Sequence, residues 1–146
     1  MITATVVLAP LREGAADAAR AAIRALREPF ARVPGTHLAR VQVLDDDLLL
    51  AADHDGPIEE WLPAAARELD AVLRCCASWP GADDAAAAVR WVRARKQVVG
   101  FSIVGSPEAT VEQVGEALAL RDSLMRFAAE TEGLDDAALH AAWGRR

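Results

Sequence analysis

A chain of 146 residues, 53% hydrophobic and 26% charged, is the length of one ordinary globular domain with enough apolar material for a real core. Its formal charge of −6 argues against a protein that lives on phosphate backbones, since that affinity comes mainly from Lys and Arg neutralising phosphates. The apolar runs are strand-length and MITATVVLAP lacks a signal peptide's basic flank and long apolar stretch, so the expectation is a cytoplasmic protein with no membrane partner.

Residues 2 to 9, ITATVVLA, are β-branched and apolar and read as a first strand closed by Pro10. Leu11, Ala15, Ala18, Ala22, Leu26 and Phe30 then recur at helical spacing, giving a helix that ends near Pro29. VPG at 33 to 35 turns the chain into a hairpin of strands at about 36 to 44 and 48 to 54. Asp55-Gly56-Pro57 starts a second helix, whose buried stripe is Ile58, Leu62, Ala65, Leu69, Val72, Leu73 and Cys76; Pro63 deletes one hydrogen bond and predicts a distorted or separate first turn. Cys75 and Cys76 are adjacent, which suits neither an ordinary disulfide nor a Cys-x-x-Cys site, and they read as a buried structural pair.

SWPG at 78 to 81 breaks the chain. Asp83 or Asp84 can cap a third helix to about Arg95, and VVGFSIVG from 97 to about 105 reads as a fourth strand. Thr110-Val111-Glu112-Gln113 is a capping box opening a long helix to about Glu132, stopped by Gly133, and LDDAALHAAW is a short last helix.

The order β-α-β-β-α-(α)-β-α-α contains the split β-α-β unit of the ferredoxin-like fold. The expectation is an α+β single domain over 1–146: a four-stranded antiparallel sheet, an extra helix before the last strand, and C-terminal helices. An antiparallel sheet with one wet face alternates apolar and polar residues, whereas Leu48, Leu49 and Leu50 place large apolar groups on both faces. At about 25 cal/mol per Å² of apolar area, leaving that second face wet would forgo a few kcal/mol. Either the C-terminal helices or, preferably, a second copy in a homodimer covers it.

On these features the chain resembles the dimeric α/β-barrel superfamily, in which two ferredoxin-like subunits pack sheet to sheet and keep ligand pockets between sheet and helices. It also resembles a group of bacterial proteins of unassigned activity through PFARVPGTHLARVQVLDD, LLLAADHDG and VGSPEATVEQVGEALALRD. The superfamily includes cofactor-free monooxygenases, haem-using enzymes and polyketide cyclases, and its fold does not choose among them.

The hairpin holds the candidate chemistry. With Asp45, Asp46 and Asp47 as a three-residue loop, Leu44 pairs with Leu48, Val41 with Ala51, Ala39 with Asp53 and His37 with Asp55. His37, Asp53 and Asp55 then share one face, and Arg40, Gln42 and His54 the other. A histidine beside Asp53 or Asp55 has its tautomer fixed and its basicity raised, as a general base requires. Arg40, with Gln42 and His54 as substrate contacts, suits a carboxylate or a developing oxyanion. Trp61 is a candidate cavity wall. Against these stand plainer roles: Asp55 as a helix cap, His37 tying down the strand's entry, and Trp61 as core filling.

ADHDG is similar to the Gly-x-x-Asp-Gly motif of dye-decolorising haem peroxidases, with Ala52 in place of the first glycine. That likeness implies Asp55 as a distal acid and Gly56 as its turn glycine, and leaves the proximal ligand unmatched, His140 being the one histidine far from the hairpin. No metal site is expected from histidines at 37, 54 and 140. The leading expectation is an oxygenase-like oxidoreductase of small-molecule metabolism without a tightly bound cofactor, His37 acting as base and Arg40 as oxyanion holder. A cyclase or isomerase using the same two groups, a haem peroxidase and a non-catalytic binding or accessory protein are the alternatives.

Overall fold

The computed structural model describes residues 1–98 and 109–144. Strand β1 (Ile2–Pro10) has the β-branched composition that suits a pleated surface. Helix α1 (Ala16–Ala25) is shorter than the apolar stripe from Leu11 to Phe30 implies. Leu11 instead bridges to Cys76, Gly14 turns the chain with φ of 70°, and Leu26 is already extended. A 3-10 turn at Pro29–Arg32 leads into the hairpin.

Strands β2 (Thr36–Leu44) and β3 (Asp47–Asp55) pair antiparallel around two loop residues, not three, because Leu44 faces Asp47. Asp45 makes the tight loop possible by taking the left-handed region, φ 50°, which a short polar side chain tolerates. Each following pair is therefore one residue off the expected register: Val41 faces Leu50 and Ala39 faces Ala52. A bulge between Thr36 and Leu38 then absorbs one extra residue, since Leu38 faces Asp53 while Thr36 faces His54. The extra residue is His37.

β1 pairs with the other edge of β3, giving, among the described residues, a three-stranded antiparallel sheet in the order β1-β3-β2. This corrects the expected four-stranded ferredoxin-like sheet. Lys96 makes one isolated antiparallel bridge to Val7 and the Gln97 N–H donates to the Val6 carbonyl at 2.8 Å, but Val98 is 97% exposed. Val98, the first residue of the apolar run, thus belongs to no strand; β-branched composition marks a fit to a pleated surface and does not supply the partner strand. The rest of that expected strand lies outside the described residues.

Helix α2 (Ile58–Leu73) runs unbroken through Pro63. Its buried side chains, Trp61, Leu62, Ala65, Ala66 and Leu69 among them, join Leu48, Leu50 and Ala52 of β3 in one core, and that burial outweighs one missing backbone hydrogen bond. Helix α3 (Ala85–Arg93) is capped by Asp84, whose carboxylate accepts from the Ala87 N–H at 2.8 Å. Asp70 fixes the intervening loop by accepting from the Trp79 indole at 2.9 Å and the Ala82 N–H at 3.2 Å. Cys75 and Cys76 are free and buried, and burial pushes the Cys76 thiol up to about 11, so Cys76 is not a poised nucleophile.

The chain divides into two compact units, Met1–Val111 and Glu112–Arg146. Helix α4 (Val111–Glu130), all but its first residue, and helix α5 (Asp136–Trp143) supply the second, where Phe127 meets Trp143 edge-on at 5.2 Å and Asp135 caps α5. Among the described residues no helix is long and apolar enough to cross a membrane.

Candidate functional site

Alternation along β3 decides which hairpin side chains meet. Leu48, Leu50, Ala52 and His54 point into the core, leaving Asp47, Leu49, Ala51, Asp53 and Asp55 on the opposite face. Strand pairing extends that open face into rows across the sheet: Ile2 with Asp55, Ala4 with Asp53 and Leu38, Val6 with Ala51 and Arg40, and Leu8 with Leu49 and Gln42. His37, Arg40, Gln42, Asp53 and Asp55 therefore belong to one face rather than two. The register explains it: the shorter loop moves Arg40 and Gln42 to the side of Asp53, and the bulge turns His37 to the face that carries Asp55.

His37 Nε2 lies 2.9 Å from Asp55 Oδ1. The other carboxylate oxygen, Oδ2, accepts from the Val111 N–H at 3.1 Å. Burial pushes the Asp55 carboxyl upward, but the hydrogen bonds from His37 and Val111, together with the charge of His37 and of the chain's N-terminus, outweigh it and hold the group below its ordinary value. Asp55 is therefore an anion that can only accept, so Nε2 carries the proton in its bond. Nδ1, the remaining ring nitrogen of His37, has no partner among the described residues. Two parts of this arrangement carried no sequence signal as a site: the Val111 N–H, which is 56 positions from Asp55, and Gly35, which at φ 74° sits so close that a Cβ there would meet the Asp55 Cβ at 3.2 Å.

The small side chains of Ala4 and Ala51, flanked by Val6 and Leu38, leave a hollow of about 500 Å³ on the open face, with Arg40 and Asp53 in its lining. Among the described residues neither charge has an ion-pair or hydrogen-bond partner. Gln42 stands one row further along.

His54 and Trp61 go elsewhere. His54 is fully buried on the core side, stacked on Trp61 with ring centroids 4.5 Å apart and planes 7° from parallel. Its Nδ1 lies 3.3 Å from the Asp55 carbonyl, which can only accept, so Nδ1–H donates there and Nε2 accepts from the Thr5 hydroxyl at 3.1 Å. Burial lowers the His54 pKa against the opposing effect of that carbonyl. The Trp61 indole N–H donates to Thr36 Oγ1 at 2.8 Å. Both residues brace the bulge from behind and do not line the hollow. His140 belongs to the second unit, in a slot with Phe127, Leu139 and Trp143. Among the described residues no group of three His, Cys, Asp or Glu side chains could hold a metal ion.

No family model, curated protein or solved structure matches this chain.

Proposed function

We propose that the chain is an enzyme of small-molecule metabolism that removes a proton from an organic substrate held on the open sheet face. The observation that carries this reading is the 2.9 Å His37–Asp55 pair, which leaves Nδ1 of His37 as the basic nitrogen on the face that also bears the Arg40 hollow. Alternate side chains along a strand are about 6.7 Å apart, so the His37–Asp55 row and the Arg40 row are about 13 Å apart before side-chain reach is counted. A compact organic molecule with an apolar body fits that span. Arg40 would hold its carboxylate or carbonyl oxygen while negative charge develops there, and His37 would take the proton. Asp55 would act as a positioning residue, fixing the imidazole tautomer and stabilising the imidazolium that forms.

The carbanion so generated is the species that an oxygenase without a tightly bound cofactor passes to dioxygen, and equally the species that a cyclase closes on itself. The oxygenase reading leads because the apolar floor of the hollow, formed by Ala4, Val6 and Ala51, would hold water away from one side of a carbanion. A second copy of the chain would complete that shield, since Ile2, Val6, Leu8, Leu38 and Leu49 share the open face, where Leu8 and Leu38 are exposed, Leu38 by 67%. Incubating wild type and His37→Gln with a cell metabolite extract, with untargeted mass spectrometry and an oxygen electrode as readouts, tests the proposal. A compound consumed with oxygen uptake by wild type and spared by the variant is expected; equal consumption by both would remove His37 from the chemistry.

A further inference from the structure

We propose that the open-face hollow takes a zwitterion: a small amino acid whose carboxylate is held by Arg40, whose ammonium is received by Asp53, and whose apolar side chain rests on Ala4, Val6 and Ala51. The inference rests on reading this hollow as the small-molecule site and adds the charge pattern of its ligand. Arg40 faces Ala51, two residues before Asp53, so the two are diagonal neighbours with Cβ atoms about 7 Å apart. Opposite charges that close would ordinarily meet, but no ion pair joins them. Both line the same hollow, which exists because Ala4 and Ala51 are too small to fill it.

Charge complementarity selects the occupant. A ligand with a carboxylate alone would pair with Arg40 and cover Asp53 with apolar surface, stripping a carboxylate of water without giving it a donor. A ligand with an ammonium alone would do the same to Arg40. One molecule carrying both groups a few bonds apart satisfies both sites, and the alanine floor accepts its apolar side chain. The neighbouring row places the His37–Asp55 pair one two-residue step beyond Asp53, on the side away from Arg40.

Two matched sets of probes test this by backbone amide NMR titration: L-phenylalanine, 3-phenylpropanoate and 2-phenylethylamine, then L-leucine, 4-methylpentanoate and 3-methylbutylamine. In at least one set the amino acid should shift the amides of Ala4, Ala51 and Asp53 and bind about tenfold more tightly than either singly charged analogue. Asp53→Asn should reduce its affinity to that of the acid, and Arg40→Gln to that of the amine, with both variants melting as wild type does. If the acid binds as tightly as the amino acid and Asp53→Asn changes nothing, the zwitterion inference is overturned and the small-molecule site stands. If no probe in either set shifts these amides, both fall together.

Discussion

His37 and His54 show how one strand step separates two kinds of histidine. His54 has both ring nitrogens engaged, by Thr5 and the Asp55 carbonyl, and is covered by Trp61; His37 spends one nitrogen on Asp55 and keeps the other. The folded-state pKa of His54 lies below the ordinary 6.5 because burial disfavours its charged form. The unfolded chain therefore binds more protons below that value. Stability due to neutral His54 is fully present above about pH 6.5 and is lost as pH falls through the folded pKa. Chemical denaturation from pH 7.5 down to 5 should show unfolding free energy declining, and His54→Gln should flatten the decline even if it lowers the whole curve. An unchanged slope would mean that His54 does not titrate with unfolding.

Among the elements, α2 keeps a residue that opposes its own helix. Pro63 is the sixth helical residue, where it removes one backbone hydrogen bond and crowds the preceding turn. Pro63→Ala should therefore raise unfolding free energy by about 1–3 kcal/mol in urea melts; a decrease would show that the proline ring contributes packing worth more than the bond. Strand and helix types were legible in the sequence because period-2 and period-3.6 patterns report which face is buried, as in β3 and α2. Register was not. It turned on the αL tolerance of Asp45 and on a bulge at His37, and both depend on the partner strand rather than on local pattern. The contact between His37 and Asp55 was legible despite this, because the one-residue shift and the one-residue bulge add to a slip of two at that end of the hairpin, and a slip of two leaves each side chain on its original face. The placement of Arg40 and Gln42 beside Asp53 was not, since those residues lie between the two irregularities.

At the scale of the molecule, the sheet is apolar front and back, with one side closed by α2 and the other lined by Val6, Leu8, Leu38 and Leu49. A charge placed on that open side would be harmless on a monomer's wet surface and costly in a sheet-to-sheet dimer. Val6→Asp should convert a dimer to a monomer in sedimentation velocity at micromolar concentration while leaving the far-UV circular dichroism unchanged. A wild-type chain that is already monomeric would sink the two-copy cover. The apolar second face was readable in the sequence from Leu48-Leu49-Leu50, whereas the three-stranded sheet of the described residues was not, because Val98 shares the composition of a strand without the pairing.

All the proposed chemistry depends on which nitrogen of His37 is bare. Long-range ¹H–¹⁵N correlation of the imidazoles, with His37 assigned through His37→Gln, reads that directly in the neutral form. A proton on Nε2 and a pyridine-like Nδ1, reverting to a tautomer mixture in Asp55→Asn, is the expected result. A proton on Nδ1 in the wild type would mean that Asp55 does not hold the ring, and that the open sheet face has no base to offer.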